Sequence, residues 1–68
     1  MIKKIYIEGM HCNHCSESVK NTLLKISGVS DVSVDLNEKV AMVNVDNVED
    51  NILRSSIEDI GFDVTDVK

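Results

Sequence analysis

Met10, His11, Cys12, His14 and Cys15 fall within six consecutive residues, in the stretch EGMHCNHCSES (residues 8–18). They include both cysteines and both histidines of the chain and one of its three methionines. The thiolate, not the thiol, is the metal ligand and the nucleophile. Cys12 and Cys15 are three apart, and residues so spaced at a helix start are neighbours, about 5–6 Å between Cβ atoms. Both sulfurs can therefore reach one ion. Unpaired N–H groups and the positive end of the helix dipole favour a thiolate there. From its place in the first turn, Cys15 is expected to have the lower pKa of the two. Two soft thiolates select Cu(I), with zinc as the common competitor. His11, Cys12, His14 and Cys15 have the count of a closed zinc site. Adjacent residues such as His11 and Cys12 point apart, however, and zinc motifs set their ligand pairs many residues apart. An under-coordinated, exposed pair leaves room for an incoming thiolate, which suits transfer better than storage. A CxxC at a helix start also describes thiol oxidoreductases. The chain has no tryptophan, no proline and only 68 residues, which argues against that class.

The pair must be held by what surrounds it. IKKIYIE (2–8) alternates, with Ile5 and Ile7 on one side and Lys4, Tyr6 and Glu8 on the other, and reads as a strand. Cys15, Val19, Leu23 and Ile26, with Leu24 beside them, form one stripe of a helix. Asn13 is its expected N-cap and Gly28 its C-cap. VSDVSVDL (29–36) and KVAMVNVD (39–46) read as strands joined by a turn at Asn37-Glu38, which lacks the usual glycine. Asp46 with Glu49 resembles a capping signal for a second helix. Its apolar side is expected to carry Val48, Ile52, Leu53, Ile57 and Ile60, and it stops at Gly61. FDVTDV (62–67) is a last strand. The order βαββαβ, as two halves with right-handed crossovers, predicts an α+β, ferredoxin-like sandwich in one domain, residues 1–68. Its four-stranded antiparallel sheet has both helices on one face and water on the other. Met10 is expected to plug the core beneath the loop, with His11 and His14 exposed.

Seven Lys/Arg against twelve Asp/Glu give a net charge of −5. Nucleic acid needs the opposite balance. No apolar run approaches the roughly 20 residues that span a bilayer. The N-terminal MIKKIYIEGM has no apolar h-region and no small-residue cleavage site. A cytoplasmic location is expected, where two close cysteines serve metal binding or catalysis more often than a structural disulfide.

GMHCNHC (9–15) fits the GMxCxxC loop of the heavy-metal-associated domain, and the chain resembles that family over its whole length, including SGV (27–29) and IGFDV (60–64). Within it, the chain looks like a free-standing bacterial copper chaperone. The resemblance implies a carrier and not an enzyme, with Cu(I) bound by Cys12 and Cys15 and delivered to the metal-binding domain of a copper-transporting P-type ATPase. It also implies that Met10 anchors the loop and that Phe62 lies beside the metal. Mercury and other soft-metal carriers share the fold and motif, as do the ATPase domains themselves. A start at Met1 with no trailing linker favours a chaperone over an excised domain. The lack of an evident leader disfavours a periplasmic mercury carrier. A monomer without metal is expected, with a copper-bridged dimer as a form in which two copies share the ion.

Overall fold

A computed structural model describes all 68 residues. The alternation of the first stretch is realised as β1 (Ile2–Glu8), with Ile5 and Ile7 buried and Lys4 and Glu8 exposed. Then follow α1 (Asn13–Leu24), β2 (Val29–Asp35), β3 (Val40–Val45), α2 (Asp50–Asp59) and β4 (Asp63–Val67), in the order expected. The strands make one antiparallel sheet, β2-β3-β1-β4. The two halves interleave, because β1 lies between β3 and β4. The register sets Ile5 opposite Ala41 and Val43 opposite Val32. Alternate side chains of these strands therefore meet on one face. Val19 and Leu23 of α1 and Leu53 and Ile57 of α2 close over that face, and all four are fully buried. Each such side chain contributes roughly 1.5–3 kcal/mol by leaving water. The other face presents Lys4, Ser33, Met42 and Asn44 to solvent, with Lys68 Nζ 5.3 Å above the Tyr6 ring. No helix is long and apolar enough to cross a membrane.

The helix ends differ from expectation in ways that matter for the site. Asn13 is the first helical residue and not the cap; the N-cap is Cys12, extended at φ −146°, ψ 171°. Burial of Met10 draws the chain inward just before it, so the extended residue that feeds the helix is the cysteine. At the other end Lys25 is the C-cap. Gly28 follows at φ +97°, where a Cβ would stand 2.6 Å from both the Asp46 carbonyl oxygen and Val48 Cγ2. Only glycine combines that backbone with so close an approach. The Asp46 N–H donates to the Gly28 carbonyl at 2.8 Å, so Asp46 serves this junction and does not cap α2. Glu49 is the N-cap of α2, without a side-chain capping bond. The buried stripe of α2 is narrower than its sequence suggests: Ile52 and Ile60 remain 47% and 39% exposed. Leu24 of α1 is exposed too. In the β2–β3 turn, Lys39 at φ 56° stands where a glycine would be usual. Asp35 Oδ1 supports it by accepting the N–H groups of Asn37 (2.9 Å) and Glu38 (3.1 Å).

Several elements converge at one end of the sheet. β1 ends there with Glu8 opposite Asp63 of β4. The Ile7 N–H donates to the Lys39 carbonyl (2.9 Å), which brings in the hairpin. α1 begins and α2 ends at the same place. The chain termini lie away from it: Lys68 and Lys4 exchange backbone bonds (2.7 and 3.1 Å), and the Met1 carbonyl accepts from the Val45 N–H (2.8 Å).

Candidate metal centre

The loop between β1 and α1 carries the two cysteines. It leaves the strand through Gly9 at φ +90°, a backbone shape that L side chains rarely adopt. The ring of Phe62, from the turn into β4, packs close by: a Cβ on Gly9 would lie 3.6 Å from Phe62 Cδ1. Met10 turns inward and is about 1% exposed, packed within the core cluster of the sheet and helices. Its burial anchors the loop, as expected. Beyond it Cys12 is exposed at the N-cap and Cys15 is half-buried in the first turn of α1. Their sulfurs are 3.3 Å apart, both cysteines are free, and either can donate to the other.

The electrostatics of the pair centre on the cap residue. Cys12 is the thiol held below its ordinary value of 9.0. The Cys15 N–H is the main cause, then the Cys15 thiol; a weaker desolvation acts the other way, and the His14 N–H helps. As a neutral thiol Cys12 makes no side-chain capping bond, but its sulfur lies where the free N–H groups of the first turn favour the anion. An N-cap side chain faces the amides two and three residues on, and here those belong to His14 and Cys15. Spacing alone ranked the cysteines by depth in the helix, whereas the cap position decides which one the amides point at.

His11 and His14 are both exposed. No group of three or more His, Cys, Asp or Glu side chains is placed to hold a metal. The soft donors that converge in this structure are the two sulfurs. Beside them an open groove of about 410 Å³ runs along α1, with His14, Cys15, Ile60 and Phe62 among its lining residues. Ile60, expected in the core, borders this groove instead. The groove and the contact of Phe62 with the loop become visible only once α2 and β4 are packed beside α1.

Residues 4–63 match the family model of the heavy-metal-associated domain. The chain is 38% identical over 64 residues to the copper chaperone CopZ of Staphylococcus haemolyticus, covering 91% of this chain and 94% of that one. A solved structure described as "CopZ metallochaperone" superposes with a TM-score of 0.92 at 33% identity, covering 96% of this chain and all of the other. A copper-binding domain from HMA7, a P-type ATPase, superposes at 0.88 with 33% identity, covering 100% of this chain and 99% of that one. A CxxC loop between β1 and α1, in a βαββαβ sandwich that the family model spans almost from end to end, has one assignment: the chain belongs to the heavy-metal-associated domain family.

Proposed function

We propose that the chain is a cytoplasmic copper chaperone. It carries copper as Cu(I) on Cys12 and Cys15 and hands it to the metal-binding domain of a copper-transporting P-type ATPase. The observation that carries this reading is the sulfur pair itself: two free thiols 3.3 Å apart, at the surface, with no third side-chain ligand converging on them. Two soft donors suit Cu(I), and an open coordination sphere admits a third. The likeness to a copper-binding ATPase domain of the same fold supports the choice of partner.

In the transfer, an incoming partner thiolate forms a Cu–S bond and makes a three-sulfur intermediate. One chaperone sulfur then leaves as a thiolate and takes up a proton from solvent. A second exchange completes the handover. Copper stays Cu(I) throughout and is never free, and only metal–sulfur bonds are made or broken, so the chain acts as a carrier. The metal-free chain is a monomer, and copper bridging two copies gives a dimer.

Competition with a Cu(I) chelator, with mass spectrometry of the intact complex under reducing conditions, tests the reading. One Cu(I) per monomer is expected at low loading. Cys12→Ser and Cys15→Ser each should nearly abolish binding, because a hydroxyl is a poor soft donor. An unchanged affinity in either variant refutes the assignment.

A further inference from the structure

The face of the sheet turned away from the helices is not uniformly polar. Ile2 is 67% and Met42 39% exposed there. With Asp31, Ser33 and Asn44 they help to line an open groove of about 190 Å³. The strand registers fix how these side chains sit. Asp31, Asn44 and Ile2 form one row across β2, β3 and β1, and Ser33, Met42 and Lys4 form the next. Asp35 continues the β2 column beyond Ser33. Acidic side chains thus occupy one side of the face and Lys4 the other, with Met42 between. Lys4, Asp31 and Asp35 take no part in the two ion pairs of the chain, Lys3–Asp50 (3.0 Å) and Lys68–Asp66 (3.6 Å).

A face divided in this way is complementary to itself. A two-fold axis sets one patch of a protein against the same patch of its copy. Two such axes through Met42 lie in the plane of contact, one across the strands and one along them. The axis across the strands sets Lys4 on Lys4 and Asp31 on Asp35, like charge on like. The axis along the strands sets β3 on β3 and β2 on β1. Lys4 then meets Ser33 of the copy, with Asp31 and Asp35 one step to either side, and symmetry makes this contact twice. The same operation lays Ile2 over Asp31, at the groove of the copy, so an exposed apolar side chain gains a cover. Met42 meets Met42 on the axis, where an unbranched thioether adapts to an irregular surface.

We propose that this open face pairs with the same face of a second copy, about the axis that runs along the strands. The pairing needs no metal and does not rest on the copper-carrier reading. A face no larger than 29 by 19 Å falls below the roughly 800 Å² that each partner buries in a standard interface. The pair is therefore transient: the dilute metal-free chain stays monomeric, and pairing grows only as the protein is concentrated. An axis along the strands keeps the two molecules pointing the same way. Their cysteine loops emerge at one end, and neither is covered by the contact. Such a pair offers two loops to one acceptor, so that a second engagement follows the first at high local concentration.

Disulfide capture tests the pairing, in a Cys12→Ser/Cys15→Ser background that has no other thiol. Met42→Cys puts one thiol on the axis, and Asn51→Cys puts one on the exposed surface of α2 as a control. Each rate of dimer coupling is divided by the same thiol's rate with a small disulfide reagent, which removes differences in intrinsic reactivity. At equal protein concentration and low salt, Met42→Cys should couple on the order of tenfold faster than the control. Adding Lys4→Glu should bring that rate down to the control's, and Lys4→Glu/Ser33→Lys should restore it, because the two sites face each other only about the proposed axis. In the metal-free parent, amide shifts that move with protein concentration should fall on β1, β2 and β3. Equal rates for Met42→Cys and Asn51→Cys overturn the pairing. A fast rate that survives Lys4→Glu, no recovery in the folded Lys4→Glu/Ser33→Lys variant, or shifts confined to the helices overturn it as well.

Discussion

Replacing Met10 with alanine removes a side chain that is 1% exposed and among the largest fully buried ones of the chain. Truncating a buried methionine to alanine costs about 2–5 kcal/mol, from lost burial and the cavity left behind. A domain of this size has about 3–10 kcal/mol in all, at roughly 0.05–0.15 kcal/mol per residue. Met10→Ala should therefore remove about a fifth of the stability or more. With about 4–8 °C per kcal/mol for so small a domain, the melting temperature should fall by roughly 8–40 °C. Met10→Leu nearly conserves volume and should cost less than about 1.5 kcal/mol. Thermal and urea unfolding of the metal-free, reduced protein, followed by circular dichroism, measures both variants. Cu(I) competition on Met10→Leu adds the decisive comparison. Its affinity should stay near that of the parent, because the thioether is packed in the core and not offered to the metal. A loss below about 1 kcal/mol in Met10→Ala, or a collapse of copper affinity in Met10→Leu on the scale of the cysteine variants, would refute the assignment of Met10 as anchor.

Gly28→Ala should destabilise by at least about 2 kcal/mol in urea titration, since its φ is positive and the new Cβ meets a backbone carbonyl; a neutral effect would mean that the β3–α2 link yields freely. Cys12 has a folded-state pKa below its ordinary 9.0, so its thiolate stabilises the fold above that value, and the contribution is lost as pH falls through the depressed value. The stability difference between the reduced, metal-free parent and Cys12→Ala should accordingly widen as pH rises toward 9.0 and level off above it; a difference independent of pH would contradict the placement of the N–H groups at that sulfur. Chelation of all metal should leave the circular dichroism spectrum folded, because neither cysteine belongs to the fully buried core; zinc fingers, by contrast, unfold without metal.

The periodic parts of the chain announced themselves well. Ile5 and Ile7, and Ala41, Val43 and Val45, alternate as the strands that bury them do, and Val19 and Leu23 keep one helical face. What depends on neighbours distant in sequence was not legible. Asp46 resembled a helix cap because its pairing with Gly28, 18 residues earlier, leaves no local trace. Ile52 and Ile60 fit an apolar stripe, but the sheet offers α2 room for only Leu53 and Ile57 to bury fully. At the site, spacing brought the two sulfurs together. Which of them the amides favour depended on the cap, and the cap was set by Met10 turning into the core. The opposition of Glu8 and Asp63 required the β1–β4 register, which contains an irregularity between Tyr6 and Ile7 that no sequence pattern marks.

Both ends of the chain leave the sheet on the side away from the sulfurs, Lys68 beside Lys4 and Met1 beside Val45. An affinity tag, a fluorescent reporter or a tether to a solid support can thus be joined at either end and extend away from the loop. The same geometry lets several copies be strung head to tail through flexible spacers, each with its cysteines still facing outward. In such an array the local concentration of acceptor sites is set by spacer length, so a fold that presents its cargo opposite its ends is suited to building concatenated sensors for soft metal ions.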